Sequence, residues 1–473
     1  MKASLFSAAL AAALLVVAGC SDDVLDRIGT NPDNPETATA RLLLPQVEVN
    51  DAFAISGTDL AWYASIFVEH STGVHAQFEQ SDKRAPGYFN PNITANLWGN
   101  LYNAQLKDLQ VLLEQASTGR EAGAWRYVGI GKILRARTLG VATDLFGRIP
   151  NSEALQGAAN LKPRFDTQES VYQDMQRLLD EALLDLDKPS NQNPGPADLF
   201  YGGDATKWKR AAYALKARYA NRLSKRDPQG SATRALAALA QGLQGPQDDL
   251  TFRSFSASAT AENPWYQELN DRRHFAVSST LYGLLSSLND PRRFSLVGTV
   301  GGQRVPAPNG TAQNDQAGTR YSKASAQLIN ATAPMPLMTF AEQKFIEAEA
   351  HLRLGNRPAA YAAYQTAVQT ALSQQFVSAA DAATYTAQPA VFMGAANLTL
   401  RDIIVQKYLS FYVYQPIEAY NDYRRTGFPA LNNPAGPAPR RFPYAQPSFD
   451  SNRENVPTVG PQDGVWWDDG TED

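Results

Sequence analysis

The chain is nearly devoid of cysteine: Cys20 is the single thiol in 473 residues. It can form no internal disulfide, and no cysteine-based metal cluster is available. Histidine is almost as scarce, with His70, His75, His274 and His351 the only four. His70 and His75 stand five residues apart, about 500° around a helix, and so do not share a helical face that would hold zinc. Catalytic signatures are missing too: there is no HExxH, no GxSxG elbow, no phosphate-cradling GxxxxGK and no Rossmann glycine pattern. The sequence therefore predicts no enzyme, no metal and no cofactor. Charge of neither sign dominates, with 43 Lys and Arg against 47 Asp and Glu for a net charge of −4. Scattered charges of this kind give no footprint for nucleic acid. Long apolar runs are absent except at the N-terminus, so no later stretch reaches the roughly 20 residues needed to span a bilayer.

That one run, Leu5 to Ala18, comes after Lys2 and is interrupted only by Ser7. A basic start and a short apolar stretch make a secretory signal, too short to serve as a spanning helix. It ends in Val17-Ala18-Gly19-Cys20, which resembles the bacterial lipobox, whose cysteine is acylated and freed by cleavage. Residues 1–19 are thus expected to be a signal peptide, and Cys20 the site of lipidation and sole membrane attachment. Two or more acyl chains make such anchoring stable. Ser21, Asp22 and Asp23 come next. They read either as plain polar tether or, by resemblance, as the surface-export signal of Bacteroidota lipoproteins. The tether is expected over 20–35.

The remaining chain is rich in apolar and aromatic residues, with 20 Tyr, 20 Phe and 7 Trp in the full sequence, and predicts a folded body over 36–473. Apolar residues recur at spacings of three and four: Leu106, Leu109, Leu113 and Ala116; Val171, Met175, Leu178, Ala182 and Leu186; Trp208, Ala212, Leu215 and Tyr219; Ala341, Phe345, Ala348 and Leu352; Ile404, Tyr408 and Phe411. Each stripe buries one face of a helix, and no long period-two alternation competes. The fold class is all-α. Thr339 with Glu342 makes a capping-box pattern, and Gly355-Asn356 before Pro358 marks a helix end and a new start. Helix pairs near 40–68 and 97–116, 122–143 and 167–187, 205–225 and 231–242, and 339–355 and 358–375 suggest four stacked hairpins. The helical scaffold spans about 36–243 and 337–427. A Gly-, Pro-, Asn- and Ser-rich stretch over 244–336 is too long for a connector, and its aromatics favour an ordered lobe. The segment 428–473 is expected to be irregular.

Two loops carry binding chemistry. Asn263, Trp265 and Tyr266, with Arg272 and Arg273 close behind, set rings beside planar polar groups, the combination that stacks on a sugar face and bonds its hydroxyls. Trp265 equally suits a role packing the lobe onto the helices. Tyr88 and Phe89, between Arg84 and Asn90, form the second candidate.

Three segments resemble the SusD/RagB family of nutrient-binding outer-membrane lipoproteins of Bacteroidota. Asp144-Leu145-Phe146-Gly147-Arg148-Ile149-Pro150, with Ser152-Glu153-Ala154, looks like the family's D-x-aromatic-G-x-I-P stretch, with Asn151 where an aromatic is usual. Asn421-Asp422-Tyr423-Arg424-Arg425-Thr426-Gly427 resembles its R-R-T-G helix ending. Arg440-Arg441-Phe442-Pro443-Tyr444 and the late Trp466-Trp467 resemble its C-terminal segment, and Lys216-Ala217-Arg218-Tyr219 a mid-chain stretch. The resemblance implies tetratricopeptide-like hairpins supporting a ligand-facing lobe, on a lipid-anchored protein at the outer face of the outer membrane. It also implies a SusC-like TonB-dependent barrel as partner and glycan or peptide as cargo, with no catalysis. Asp144, Gly147, Pro150, Asp422, Arg424, Arg425 and Gly427 are expected to hold architecture: Asp144 by capping backbone donors, Asp422 by pairing with Arg424 or Arg425. Two other classes stay open on sequence alone, a surface glycoside hydrolase and a helical assembly scaffold.

Overall fold

The computed structural model describes residues 38–469. The expected signal peptide, the tether and Cys20, Ser21, Asp22 and Asp23 lie outside the described residues. The body is predominantly α-helical. Its main helices are α1 (Ala40–Asn50), α2 (Asp59–Phe67), α3 (Lys107–Ser117), α4 (Trp125–Phe146), α5 (Gln168–Asp187), α6 (Ala205–Arg222), α7 (Pro228–Leu239), α8 (Phe340–Arg353), α9 (Arg357–Gln374), α10 (Ala379–Thr386), α11 (Leu400–Phe411) and α12 (Pro416–Thr426). Helix α1 packs on α3, α4 on α5, α6 on α7, and α8 on α9, so the four pairs read from the sequence do lie against each other. No helix among the described residues is long and apolar enough to cross a membrane.

The stripes sit where periodicity places them, with one phase error. Leu109, Leu112 and Ala116 are buried on α3 while Leu113 is only half-buried. A π-helical stretch, Asn100–Leu106, lies immediately upstream. Thr339 caps α8 by accepting the Glu342 N–H at 3.1 Å. The reciprocal half of the expected box is missing, because the Glu342 carboxylate is engaged by Arg218 and Gln415. A full capping box instead starts α11 at Thr399 and Asp402. Gly355 takes the left-handed backbone (φ 78°) that ends α8, and Asn356 caps α9. At Gly140 a Cβ would lie 2.5 Å from the Tyr219 hydroxyl, so α4 and α6 approach as closely as they do only because that position has no side chain.

The stretch 244–336 packs several of its aromatics, Phe252, Phe255, Trp265 and Phe275, into the main core. It holds the short strands β2 (Leu250–Phe252) and β3 (Phe275–Val277), with β1 (Ser71–Gly73) and β4 (Met335–Met338) contributed largely from outside it. Two antiparallel two-stranded ladders result, β1 with β3 and β2 with β4. The C-terminal segment is less irregular than expected. It carries short helices at Gln446–Asn452 and Trp466–Asp469, and Phe442, Tyr444, Trp466 and Trp467 are buried in the main core.

At the centre, side chains from α4, α6, α8, α11 and α12 form a buried ionic network. Arg218 meets Glu342 at 2.5 Å, Arg222 meets Asp144 at 3.3 Å and also Glu418, and Lys407 meets Asp422 at 2.8 Å. Arg425 bridges Asp422 at 2.8 Å and Glu349, and Arg353 closes on Glu349. Burial pushes the Asp422 carboxyl up, but Lys407, Arg425 and Arg222 outweigh it and hold the group well below the usual carboxylate range. Burial likewise opposes, and Arg353 and Arg425 overcome it, at Glu349, which falls to about 2. Several of the family-like residues lie in this buried junction, where Asp144 makes contacts other than the expected one and Asp422 takes one of its two expected partners. Asp144 caps no backbone: its carboxylate accepts side-chain donors, the Tyr172 hydroxyl, Trp467 Nε1 at 2.9 Å and Asn421 Nδ2 at 3.1 Å. Asp422 pairs with Arg425 and not Arg424, whose guanidinium donates to the Asp144 and Arg440 carbonyls and lies 4.7 Å from the Trp467 ring. Gly147 and Gly427 end α4 and α12 with positive φ, and the Pro150 carbonyl accepts from the Tyr102 hydroxyl at 2.7 Å.

Removing one charge from such a network leaves its partner buried and uncompensated, at a cost of about 3–5 kcal/mol. Asp422→Asn is expected to lower the unfolding free energy by about that much in denaturant titration at neutral pH. A loss under about 1 kcal/mol would mean that Lys407 and Arg425 draw their stabilisation from elsewhere.

Candidate functional site

The two loops singled out in the sequence both pack against α2, through Trp62 and Tyr63. Strand β1 pairs with β3 in the register Gly73↔Phe275, and the Val74 N–H extends the ladder to the His274 carbonyl at 2.9 Å. This short ladder pins the 69–92 segment to the lobe. Beneath it lies an aromatic cluster: Trp62 on α2 contacts Phe78 (6.0 Å, edge-on), Trp265 (6.3 Å) and Phe275 (5.9 Å), and Phe78 contacts Phe275 at 4.5 Å. Tyr63, next on α2, reaches Phe89 at 5.5 Å. Edge-to-face rings of this kind fix geometry as well as burying area.

The candidates divide into support and surface. Trp265 is 1% exposed and belongs to the core, so its ring is no platform for a ligand. Asn263 is also buried. It caps the short helix Pro264–Gln267, accepting from the Trp265 and Tyr266 N–H groups at 2.9 and 3.3 Å, and donates to the Ala333 carbonyl at 2.9 Å. Phe89 packs between Phe67 (4.8 Å) and Phe442 (5.1 Å). Tyr88 and Tyr266 are half-buried, Arg272 is exposed, and Arg273 donates to Gln316 Oε1 at 2.9 Å. Asp59, at the start of α2, joins the loops: its carboxyl feels the Arg272 charge, and the Tyr63 hydroxyl beside it feels both Tyr88 and Asp59. Tyr88, Tyr266, Arg272 and Arg273 therefore form the accessible rim above the aromatic cluster.

Sequence reasoning missed several rim members. His75 and His274 lie with ring centroids 5.2 Å apart, and His75 Nδ1 is 2.8 Å from Asn314 Oδ1. Glu268 accepts the His274 N–H at 3.0 Å, and its Oε2 has no hydrogen-bond partner. Burial raises the Glu268 carboxyl to about 7 and, with His75 and Arg272 nearby, lowers His274 to about 4. Burial also raises Asp59 against the pull of Arg272. Only the strand register brings these residues together, so no local spacing signalled them. Ala76, Arg84 and Arg273 all hold left-handed backbone (φ 48°, 52° and 58°) around this rim. Such conformations persist in non-glycine residues where the surroundings impose them, and they cluster at ligand sites. Among the described residues no group of His, Cys, Asp and Glu is arranged to hold a metal ion.

A groove of about 1060 Å³ lies elsewhere, between α5, α6 and α7. Most of its charged residues are paired, Arg177 with Glu181 and with Asp174 nearby at 2.6 Å, Lys216 with Asp180, and Arg234 with the neighbouring Asp227 at 3.0 Å. It offers a polar ligand few unmet hydrogen-bonding groups, whereas the rim offers several. Size alone does not make the groove the binding site.

The fold has many solved counterparts. A SusD/RagB family protein from Bacteroides thetaiotaomicron VPI-5482 superposes with a TM-score of 0.84 at 27% identity, covering 92% of this chain and 100% of its own. A chitin-binding SusD homolog from Flavobacterium johnsoniae gives a TM-score of 0.78 at 21% identity, covering 91% of this chain and 99% of its own. Another structure, titled a chitin-binding protein, gives 0.78 at 24% identity, with 91% and 100% covered. No curated protein matches the sequence. The family model SusD-like_2, described as "Starch-binding associating with outer membrane", matches residues 33–445. The chain thus belongs to the SusD/RagB family of outer-membrane binding proteins, which are not enzymes.

Proposed function

We propose that this protein is a lipid-anchored receptor on the outer face of the outer membrane, which captures a glycan at the rim and passes it to a SusC-like TonB-dependent barrel. The family match over 33–445 is the observation that carries this reading. The lipobox-like end at Cys20 supplies the anchor, Ser21, Asp22 and Asp23 the export signal, and residues 20–35 the tether. The helix pairs act as tetratricopeptide-like hairpins holding the lobe, and binding needs no chemistry from this subunit. Glycan leads as cargo because the rim sets Tyr88 and Tyr266 beside Arg272 and Arg273, rings next to forked donors, and because two structural relatives are titled chitin-binding. Peptide is the second cargo class, through the same donors.

Affinity purification of the full-length protein from detergent-extracted outer membranes is expected to bring down a TonB-dependent barrel; its absence would rule out that partner. For the site, Tyr88→Ala, Tyr266→Ala and Arg272→Ala are each expected to weaken glycan binding about tenfold with thermal stability unchanged. Trp265→Ala is expected to cost about 3–5 kcal/mol of stability, as truncation of a core indole does. Binding screens that show peptide binding and no glycan binding would reverse the cargo.

The rim also sets a pH dependence. Glu268 has its folded-state pKa raised to about 7, so the folded protein keeps a proton that the unfolded chain releases. Its stabilising contribution is complete below the unfolded carboxylate range, near pH 4.5, and is lost as pH rises through about 7. His274, lowered to about 4, works the other way, its protonation favouring the unfolded chain as pH falls from about 6.5 towards 4. Glu268→Gln removes the first titration alone. The variant is expected to be more stable than wild type by about 1–3 kcal/mol at pH 8 and equal to it near pH 4. Parallel stability curves across that range would show that Glu268 is not desolvated.

A further inference from the structure

A second cavity, of about 320 Å³, is bounded by the helix Ala95–Gly99, the π-helical stretch Asn100–Leu106, the segment 150–165 and the helix Gln446–Asn452. Its floor is aromatic. Trp98, half-buried, stacks with Tyr102 at 4.7 Å and with Phe165 at 6.0 Å, their planes 30° and 16° from its own. Phe146 and Tyr444 meet it edge-on at 5.1 and 6.1 Å and hold the indole in place.

Four independent features converge on this cavity. The π-helical stretch is the first, since widened turns of this kind recur at functional sites, and it places Asn103 at the cavity mouth. Asn103 is the second: it is exposed, and its amide makes no hydrogen bond to any described residue. Leu155 is the third. It lines the wall with left-handed backbone (φ 63°), a conformation that a branched residue holds only under constraint from its surroundings. Leu161 is the fourth, 75% exposed at the mouth, the most exposed large apolar side chain among the described residues. The interior polar group Asn452 is already committed, donating to the Pro163 carbonyl at 2.8 Å and accepting from Asn455 at 2.8 Å. Hydrogen bonding to a guest then falls to Asn103 at the mouth and to the Ser448 hydroxyl on the lining, over an apolar wall.

We propose that this cavity is a second carbohydrate site, taking one pyranose residue with its apolar face on the Trp98, Leu155 and Leu161 wall and a hydroxyl on the Asn103 amide. The volume lies at the small end of ligand pockets, about 300 Å³ and upward, which suits one ring and not a seated oligosaccharide. A fixed aromatic floor, an apolar wall and one free amide match the two sides of a sugar, its C–H face and its hydroxyl edge. The site stands on its own geometry; the choice of a sugar as guest rests on the glycan-receptor function proposed for the chain. A site for one ring beside a larger rim lets a branched or long glycan be held at two points, so that the second contact forms at high effective concentration.

The test uses free glucose and free N-acetylglucosamine as separate probes, with ligand-observed saturation-transfer NMR and tryptophan fluorescence on the mature full chain. Asn103→Ala and Leu161→Asp change exposed positions and leave the core intact, and Trp98→Phe keeps a ring where an alanine would risk the fold. Saturable binding of a monosaccharide, weakened about tenfold by Asn103→Ala and by Leu161→Asp and unchanged by Arg272→Ala, is the expected result. Absence of saturable monosaccharide binding, or wild-type affinity in both Asn103→Ala and Leu161→Asp, overturns the site. Loss in Arg272→Ala alone places the monosaccharide at the rim and also overturns it. Oligosaccharide binding measured in parallel reports on the rim separately, so failure of the one site is distinguishable from failure of the other.

Discussion

The fold is organised around charge that has been taken out of water. Arg218 and Arg222 on α6, Glu342 and Glu349 on α8, Lys407 on α11, and Glu418, Asp422 and Arg425 on α12 are all buried, and Asp144 at the end of α4 joins them. Each of these ions, alone, would cost several kcal/mol to desolvate. Together they satisfy one another, and only in the arrangement that brings those five helices to one point. A hydrophobic core of equal volume would tolerate sliding and rotation of its helices. Paired, hydrogen-bonded ions tolerate far less, because any shift strands a charge.

This constraint separates the protein into a part that must keep its geometry and a part that need not. The network lies among helices, while the rim above Trp62 and Trp265 is carried by the 69–92 segment and the lobe. The two are joined through a shared hydrophobic core, the β1–β3 ladder, the aromatic cluster, and polar ties such as Glu69, which accepts from the backbone of Asn432 and Asn433 and from the Thr280 hydroxyl. Rim residues are thus held by rings and a three-residue ladder, and exchanging Tyr88, Tyr266 or Arg272 disturbs no member of the buried network. A family that serves different nutrients on one scaffold needs this division.

How much of this was legible depended on the range of the interaction. Stripes such as Val171, Met175 and Leu178 are set by the next turn of the same helix, and they lie on the buried face as read. Gly355, Asn356 and Pro358 are local punctuation and behave as such. Glu342 does not, because a partner 124 residues away, Arg218, outcompetes the cap three residues away. Asp144 departs from expectation for the same reason: its partners Tyr172, Asn421 and Trp467 arrive from three distant segments. In the two candidate loops, composition could not sort ring from ring. Trp265 and Tyr266 are adjacent in sequence, and only the direction of one helical turn sends the first into the core and leaves the second at the surface. Leu113 is half-buried while Leu112, outside the stripe as read, takes the buried position.

The sequence distance across the network bears on how such a chain is made. Arg218 is synthesised well before its counter-ion Glu342, 124 residues further on, and Arg222, which meets Asp144 behind it, still lacks Glu418, 196 residues beyond. Until Glu342 emerges, burying the middle helices would strand the Arg218 guanidinium in a medium that cannot solvate it. The first half of the polypeptide therefore has reason to remain loosely assembled while the second is still being made, as expected of a topology rich in distant contacts. A body that cannot complete its core before its last third exists stays open for most of its synthesis.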